Sequence, residues 1–161
     1  MSNYIHNKPG STILRNKRAY HDYAIEDELE AGIVLLGSEV KSLRMGSANL
    51  RDSFVIDKKG ELFINNLYIG EYTGANRFNH ETMRHKKLLM SKRQIKKFMG
   101  KMKIKGYSIL VLSLYFNSKN IAKVKIGLGK GKKEYDKRAD IKDKEWQRQQ
   151  SRLLRNKDAS E

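Results

Sequence analysis

The residues of this chain best suited to do chemistry are its cations. The sequence holds 34 Lys and Arg against 18 Asp and Glu, for a net charge of +16. Ten basic residues and no acidic one fall within a single stretch: Arg84, Lys86, Lys87, Lys92, Arg93, Lys96, Lys97, Lys101, Lys103 and Lys105. Such a field attracts polyanions. Basic helices that bind membranes usually carry a broad apolar face with Trp, Phe or Leu. We therefore expect RNA or DNA as the partner and do not expect binding to a membrane.

Two motifs resemble catalytic or nucleotide-binding sites but lack the spacing or the neighbouring residues that those sites require. His80 and His85 are five residues apart in a loop-like segment, whereas the histidines of the zinc-protease helix are four apart. The glycines at 127, 129 and 131 are not followed by a Lys-Ser/Thr pair opening a helix, so they do not form a phosphate loop.

The remaining chemistry is equally sparse. The chain has no Cys, which excludes a thiol nucleophile and disulfides and suits a reducing cytoplasm. Acidic residues within 26–30 could hold Mg²⁺ for a nuclease, but such a run is more often a solvated strand face or pairs with nearby Lys and Arg. The sequence predicts no enzyme activity, no metal site and no cofactor.

The element that must organise these residues is a β-hairpin near the C-terminal end. Residues 107–116 are almost entirely apolar, and residues 122–128 alternate apolar and Lys side chains after a turn at 117–120. This predicts one strand buried on both faces and one half exposed. The hairpin runs into Gly129-Lys130-Gly131-Lys132-Lys133, a flexible basic exit.

The first half of the chain reads as short strands around one helix. Residues 19–36 predict two strand pieces with a bend at Ala31-Gly32, the second being a buried strand over 33–36. A helix then begins near Ser38, whose side chain can accept a first-turn amide, and stops at Gly46. Residues 53–57 and 61–72 predict a hairpin, with a bulge at Asn65-Asn66.

The second half adds a polar loop at 73–82, a short apolar run at 88–90 and one amphipathic helix. Ser91 and Gln94 match a capping box. The apolar residues that follow lie at i, i+3, i+4 and i+7: Ile95, Phe98, Met99 and Met102. Gly100 weakens this helix and predicts fraying of its last turn.

The order of elements predicts a mainly β fold with flanking helices, an antiparallel oligonucleotide-binding-like (OB-like) barrel with a basic C-terminal tail. We expect a flexible N-terminal arm at 1–18, a body at 19–129 and a tail at 130–161. Residues 139–155 can be helical, but their thin apolar set predicts disorder in the free protein and a helix on a polyanion. With no signal peptide or membrane span, the chain is expected to be cytoplasmic, and we expect a monomer.

Three strings resemble a known family: NKRAYHDYAIEDELEAGIVLLGSEVKSLRMGSANLRDSF at 16–54, RHKKLLMSKRQI at 84–95 and KVKIGLGKGKKEYDKRADIKDKEWQR at 123–148. They are similar to small protein B, the SsrA-binding family of bacterial trans-translation, from about Lys8 to Arg155. The resemblance implies a non-catalytic adaptor. It would bind the tRNA-like part of transfer-messenger RNA, reach stalled ribosomes in complex with elongation factor Tu, and place its tail against small-subunit ribosomal RNA in the decoding centre and empty message channel.

The resemblance also implies which residues bind. Family positions implicated in transfer-messenger RNA binding correspond to Asn16, Lys17, Tyr23, Glu30 and Lys123. Asn and Lys suit phosphate and sugar, Tyr23 can stack, and Glu30 can accept from base or 2′-hydroxyl groups, unless it only forms a barrel-edge salt bridge. Leu89 falls at another such position, where we expect a core residue that acts indirectly.

In the tail, the residues expected to meet the ribosome are Lys130, Lys132, Lys133, Tyr135, Asp136, Lys137, Arg138 and Trp146. The cations would neutralise phosphates. Tyr135 stands where many relatives have His and can stack on a base without supplying an imidazolium charge. Trp146 either stacks within the channel or only covers the apolar side of the helix. The alternative to this function is a structural ribosomal RNA-binding protein of OB-like fold.

Overall fold

The computed structural model describes residues 12–158, and β-strands dominate its first part. The strands are β1 Thr12–Arg15, β2 Tyr23–Ile33, β3 Ala48–Asn49, β4 Phe54–Lys58, β5 Glu61–Asn65, β6 Tyr68–Ile69, β7 Lys86–Leu89, β8 Tyr107–Phe116 and β9 Ala122–Gly131. The helices are α1 Lys17–Asp22, α2 Gly37–Arg44, α3 Lys92–Met102 and α4 Glu134–Asp158, with a 3₁₀ turn at Thr73–Phe78. One compact unit ends at Gly131 and a second begins at Lys132.

Seven strands form an antiparallel sheet in the order β1-β8-β4-β5-β7-β2-β9, and β9 also pairs with β8. The sheet therefore returns on itself as a barrel. The β4–β8 seam has one register pair, Phe54 with Leu110, so closure is partial there. β3 and β6 form a separate two-stranded ribbon. The predicted mainly β, OB-like architecture is confirmed.

The predicted β8–β9 hairpin is confirmed, and β8 is buried on both faces because the sheet has a core on each side. The main core includes Val111, Leu114 and Ile126, while a small second cluster joins Ala19, Leu110 and Leu112 under α1. A register shift between Val111 and Ser113 changes which β8 side chains face each core.

Two glycines of β9 make room for the second cluster. A Cβ at Gly127 would lie 2.6 Å from Leu112 Cδ1, and one at Gly129 would lie 2.9 Å from Tyr23 Cβ. Close packing beneath α1 therefore explains Gly127 and Gly129, whereas a Cβ at Gly131 would meet nothing within 4 Å.

The prediction of a flexible arm up to residue 18 is wrong for residues 12–18. Thr12–Arg15 pair with β8, and Asn16 caps α1. Ile13 is buried in the main core, which gives this segment apolar burial as well as backbone pairing. Residues 1–11 of the expected arm lie outside the described residues.

The segment 19–36 also differs from its prediction. β2 runs unbroken through Ala31 and Gly32, and its register shift falls between Ile25 and Asp27 instead. The expected buried strand at 33–36 is wrong, because β2 ends at Ile33, and Val34 and Leu36 are 39% and 48% exposed.

The α2 helix is where the sequence indicated, but its cap differs. Ser38 Oγ lies 2.8 Å from His80 Nδ1, and Glu39 Oε2 instead accepts from the Leu36 N–H at 2.8 Å. Because α2 already begins at Gly37, Ser38 lies within the helix, and its hydroxyl contacts His80 instead of capping the first turn. The left-handed stop is confirmed, with φ of 75° at Gly46.

The predicted capping box of α3 is confirmed, since Ser91 Oγ accepts from Gln94 N at 3.3 Å and Gln94 Oε1 accepts from Ser91 N at 3.0 Å. Phe98 is buried, and the other stripe residues pack against the main core. The helix continues through Gly100 to Met102. No bulge occurs at Asn65-Asn66; β5 ends at Asn65, and Asn66 turns the chain with φ of 57°.

The second unit consists mainly of α4, which includes the segment 139–155 that the sequence indicated as helical. That this helix forms only on a partner stays a prediction. No helix within residues 12–158 is long and apolar enough to cross a membrane.

Candidate nucleic-acid interface

One face of the barrel, turned away from the main core, collects several of the predicted RNA-binding residues. We call it the outer sheet face. Cross-strand register defines two rows on it: Leu89, Gly32, Lys123, Tyr115 and Thr12 in the first, and Glu30, Lys125, Ser113 and Arg15 in the second. Residues opposite each other in antiparallel strands point to the same side. The rows place a carboxylate, cations, a phenol and an apolar side chain on one accessible surface.

Glu30 and Lys123 belong to adjacent rows of this surface. Glu30 stands opposite Lys125, and Lys123 precedes Lys125 by two residues in β9. Glu30 is exposed and accepts a hydrogen bond from Tyr115 Oη. Burial of the Tyr115 ring and this hydrogen bond raise the pKa of Tyr115. Lys123 stands directly opposite Tyr115 in the register. The phenol therefore orients one carboxylate oxygen on the face that also carries Lys123.

The other two alternate glutamates of β2, Glu26 and Glu28, also accept a hydrogen bond from a tyrosine hydroxyl. Tyr107 Oη donates to Glu26 at 3.0 Å and Tyr20 Oη donates to Glu28 at 3.2 Å. The Glu26 hydrogen bond raises the pKa of Tyr107, and burial raises that of Tyr20. These carboxylates are organised by phenols on an exposed strand face. Within residues 12–158, no three His, Cys, Asp or Glu side chains cluster as metal ligands would.

Asn16 is a buried residue that positions the backbone around it, and its role in RNA binding stays a prediction. It is 4% exposed, and its amide Nδ2 donates to Leu50 O and Val111 O, each at 3.1 Å. Its Oδ1 accepts from Ala19 N at 3.1 Å. All of its side-chain groups are thus engaged inside the protein. Asn16 fixes the start of α1 and with it the exposed Lys17.

Tyr23 lies at the first position of β2, opposite Gly131. Its half-buried ring packs against the cluster beneath α1. The aromatic surface that remains accessible is available for stacking. Arg15 leads directly into Asn16 and Lys17, so four of the five predicted RNA-binding positions border or belong to the outer sheet face, whereas Tyr23 lies at the other end of β2.

The expectation of a core position at Leu89 is wrong. Leu89 is 56% exposed, and a Cβ on Gly32 would lie 3.0 Å from Leu89 Cβ. Within β7, the neighbouring Leu88 and Lys86 supply the buried side chains. The short apolar run concealed this alternation, and Leu89 adds an exposed apolar contact to the first row.

Sequence reasoning missed a buried polar network beside α2. Glu39 is fully buried, and its Oε2 lies 2.7 Å from Arg84 Nη2. Burial acts to raise the pKa of Glu39, but hydrogen bonds from Arg84 and the Leu36 amide outweigh it and hold the pKa below its ordinary value. No local pattern signals a pair 45 residues apart.

Two more residues of this region have structural roles. Lys86 is fully buried and donates to Leu67 O at 2.7 Å. Burial lowers the pKa of Lys86 to about 8. His80, which the sequence compared with a zinc ligand, lies with Nδ1 near Ser38 Oγ and Nε2 3.0 Å from Ile69 O. Both imidazole nitrogens are therefore engaged within the fold.

The predicted tail residues divide between the two units. β9 extends to Gly131, so Lys130 belongs to the barrel, where its ammonium lies 5.8 Å from the Tyr107 ring centre. In the second unit, Lys132 pairs with Asp140, and Lys137 lies 3.8 Å from Glu134. Lys133 lies 5.9 Å from the Tyr135 ring centre.

The side chains of α4 leave its aromatic residues accessible. Tyr135 and Trp146 are 64% and 62% exposed, and Arg138 is exposed while Asp136 is half-buried. A basic helix with accessible rings can contact phosphates and stack on bases. These tail roles stay predictions.

The partly closed barrel, the mixed outer sheet face and the cationic stretch around α3 define a class, an RNA-binding protein built on an OB-like barrel. A family model described as SmpB protein matches residues 13–156, and the chain belongs to this family.

Individual proteins agree with the family match. An SsrA-binding protein of Rickettsia canadensis (strain McKiel) is 57% identical over 145 residues, covering 90% of this chain and 95% of the relative. One of Orientia tsutsugamushi (strain Ikeda) is 51% identical with the same coverage. A solved structure described as "tmRNA-SmpB: a journey to the center of the bacterial ribosome" is 44% identical, with a TM-score of 0.64, and the match covers 75% of this chain and 85% of that one.

Proposed function

We propose that this chain is an adaptor that binds the tRNA-like part of transfer-messenger RNA and delivers it to stalled ribosomes for trans-translation. The observation that carries the proposal is the outer sheet face, where Glu30, Lys123 and the exposed Leu89 lie on the same side of three neighbouring strands. Membership of the SmpB family supports the same partner.

The chemistry of the face suits a folded RNA with accessible bases and sugars. Lys123 and Lys17 neutralise phosphates, which supplies affinity without sequence information. Glu30, held by Tyr115, accepts from an exocyclic amine or a 2′-hydroxyl group, which supplies selectivity for RNA. Leu89 and Tyr23 give apolar and aromatic surface for an unpaired base.

The second unit carries the ribosomal role. Its cations bind small-subunit ribosomal RNA, and Tyr135 and Trp146 stack within the decoding centre and empty message channel. The protein acts without catalysis, as a monomer in the cytoplasm, and elongation factor Tu joins the complex through the charged transfer-messenger RNA. The tail is disordered before it reaches the ribosome and helical there.

Separating the two units tests this division of roles. A chain ending at Gly131 keeps β9 complete, whereas a cut after Leu128 would remove the residues that pair with Tyr23 and Ile25. The shortened chain should bind the tRNA-like domain within about twofold of the full chain and should fail to support tagging on ribosomes stalled at a truncated message. Far-ultraviolet circular dichroism of the two chains should show little helix contributed by the free tail.

The matched variant is Lys123→Ala in the full chain. It should weaken RNA binding about tenfold, or about 1.4 kcal/mol, and lower tagging in proportion. Loss of RNA binding by the chain ending at Gly131 would contradict the division. Equal binding to small ribosomal subunits and to the tRNA-like domain, with no tagging, would favour the structural ribosomal protein.

A further inference from the structure

The α3 helix presents a cationic face opposite its buried stripe. At 100° per residue, the apolar residues 95, 98, 99 and 102 share one side of the helix, and the opposite side carries five cations. These are Arg93, Lys96, Lys97 and Lys101 on α3 and Lys103, the residue that follows its last turn, all exposed. From the first to the last, this row extends about 15 Å along the helix. The interior face fixes α3 on the barrel and leaves the cationic face outward.

Gly100 lies at the centre of this cationic face. A Cβ at Gly100 would meet nothing within 4 Å, so packing within the barrel does not require a glycine. Among the residues that helices tolerate in their interior, Gly is the least favourable. The rest of α3 follows the rules for a stable helix, with a capping box and an apolar stripe. A local rule broken at one exposed point of a well-formed element indicates a functional constraint.

The cations on this face are available to an external anion. Lys97 Nζ is bonded to Asp27 Oδ2 at 2.6 Å. Within residues 12–158, the structure gives no acidic partner to Arg93, Lys96, Lys101 or Lys103. A row of cations around a gap with no side chain fits a ridge of phosphates that approaches the helix backbone closely.

The α3 face continues the outer sheet face. Leu89 of the first row is separated from α3 by only Met90 and the capping residue Ser91. Lys97 ties the middle of the helix to Asp27 of β2, whose side chain lies on the opposite face of that strand from Glu30. The nearness of Leu89 to the start of α3 is what brings an RNA on the first row within reach of the helix.

We propose that the cationic face of α3, centred on Gly100, docks the phosphate backbone of a double-helical stem in the same RNA molecule that the outer sheet face binds. The inference rests on the proposed function and adds a second, sequence-independent contact to it. Double-helical RNA is recognised mainly through its shape, its 2′-hydroxyls and its phosphates. The helix supplies charge at a fixed spacing and no base-reading group.

Salt dependence of binding separates this contact from the sheet contacts. The probe is the tRNA-like domain of transfer-messenger RNA, and the variant is Lys96→Gln with Lys103→Gln. The control is Lys58→Gln with Arg77→Gln, which removes the same charge from exposed positions away from α3. We expect the α3 variant to lower the slope of log K against log salt by about 1 to 2 and the control to leave it unchanged.

Gly100→Gln tests the close approach independently of charge. Because Gln is a better helix former than Gly and the site is open, the melting temperature should rise while RNA affinity falls about fivefold. A purely structural role for Gly100 would move both quantities in the same direction or leave affinity unchanged.

The outcomes distinguish this contact from the proposed function as a whole. Unchanged slope and affinity in the α3 variants, with Lys123→Ala still impaired, would overturn the α3 contact alone. Unchanged affinity in Lys123→Ala as well would overturn the RNA-binding role of the body. A slope change seen only with isolated small ribosomal subunits would assign the α3 face to ribosomal RNA and contradict the proposal.

Discussion

The barrel and the C-terminal helix obtain their order in different ways. In the barrel, buried polar groups such as Asn16, Glu39 and Lys86 have partners that lie far away in the sequence. In α4, the larger apolar side chains Trp146, Leu153 and Leu154 are 62–66% exposed. Tertiary burial supplies most helix stability in proteins, and α4 obtains little of it. The comparison teaches that long-range contacts fix the shape of the barrel, whereas the dependence of α4 on a partner stays a prediction.

The charges of the two units show the same contrast. In the barrel, Arg84 bonds a carboxylate 45 residues away and fixes the start of α2. In the second unit, Lys132–Asp140 and Lys137–Glu134 join residues eight and three positions apart. Lys132 precedes α4, whereas Lys137–Glu134 is a pair within the helix, of a kind that contributes only a few tenths of a kcal/mol. Cations held this way remain able to exchange their partner for a phosphate.

The largest expected effect tests the contrast in burial directly. Asn16→Ala leaves the carbonyls of Leu50 and Val111 and the Ala19 amide without their side-chain partner, so the free energy of unfolding should fall by about 3 kcal/mol. Trp146→Ala should change it by less than about 0.5 kcal/mol because the ring is exposed. Urea denaturation of the full chain measures both. A loss above about 1 kcal/mol in Trp146→Ala would show that burial stabilises α4.

A second prediction uses pH to sharpen the account of the barrel interior. Burial lowers the pKa of Lys86 to about 8 from 10.5, so between these values the unfolded chain binds more protons than the folded chain. Stability should therefore rise with pH in that window, by up to about 3 kcal/mol. The usable range ends near pH 10, where ionisation of Tyr side chains in the unfolded chain begins to oppose it.

Lys86→Met isolates this contribution. The stability of the natural chain relative to this variant should increase from pH 7.5 to 9.5 in urea titrations. Lys87→Met is the control, since Lys87 is 40% exposed and pairs with Glu61 on the surface. A difference between Lys86→Met and the natural chain that stays constant with pH would mean that Lys86 remains charged in the folded barrel.

The smallest expected effects come from removing the hydroxyl group of one tyrosine in each unit. Tyr115→Phe removes the hydroxyl that orients Glu30, so RNA affinity should fall about fivefold, or about 1 kcal/mol. Glu30→Gln should weaken binding similarly, and the double variant should fall short of the sum because both act through one contact. Tyr107→Phe, whose partner is Glu26, is the control. Additive losses would disprove the coupling.

Tyr135 completes this comparison in the second unit. Its hydroxyl has no hydrogen-bond partner among the side chains that the structure describes, and its ring is exposed. Tyr135→Phe should therefore leave tagging unchanged, because stacking requires the ring and not the hydroxyl. Lost tagging would indicate that this hydroxyl meets a partner on the ribosome.

Sequence patterns predicted the elements whose signals are local. The hairpin of β8 and β9, the capping box at Ser91 and the stripe of α3 depend on residues within a few positions of each other, and all three are confirmed. Gly46 predicted the end of α2 for the same reason. Resemblance to a family supplied the positions predicted to bind RNA, but not the contacts that each one makes within the fold.

The predictions were wrong where the structure of one segment depends on contacts with a segment that is distant in the sequence. Residues 12–18 looked unstructured because their alternation is short, yet β8 pairs with them and Ile13 enters the core. Leu89 looked buried because it stands in an apolar run, although the register with Gly32 turns it outward. Neither outcome is written in the nearby residues.

The amino-acid sequence alone determined the basic character of the chain, the kind of its main elements and the expectation of a polyanionic partner, since charge and periodicity are sums over neighbouring residues. Tertiary structure decided that Asn16 is buried and bonded within the core, that Leu89 is exposed, and that Tyr115 bonds Glu30 on the face that carries Lys123. These facts depend on strand register and on bulges at Ile25–Asp27 and Val111–Ser113. A shift of one residue moves a side chain to the opposite face, and only packing of the whole barrel selects the register.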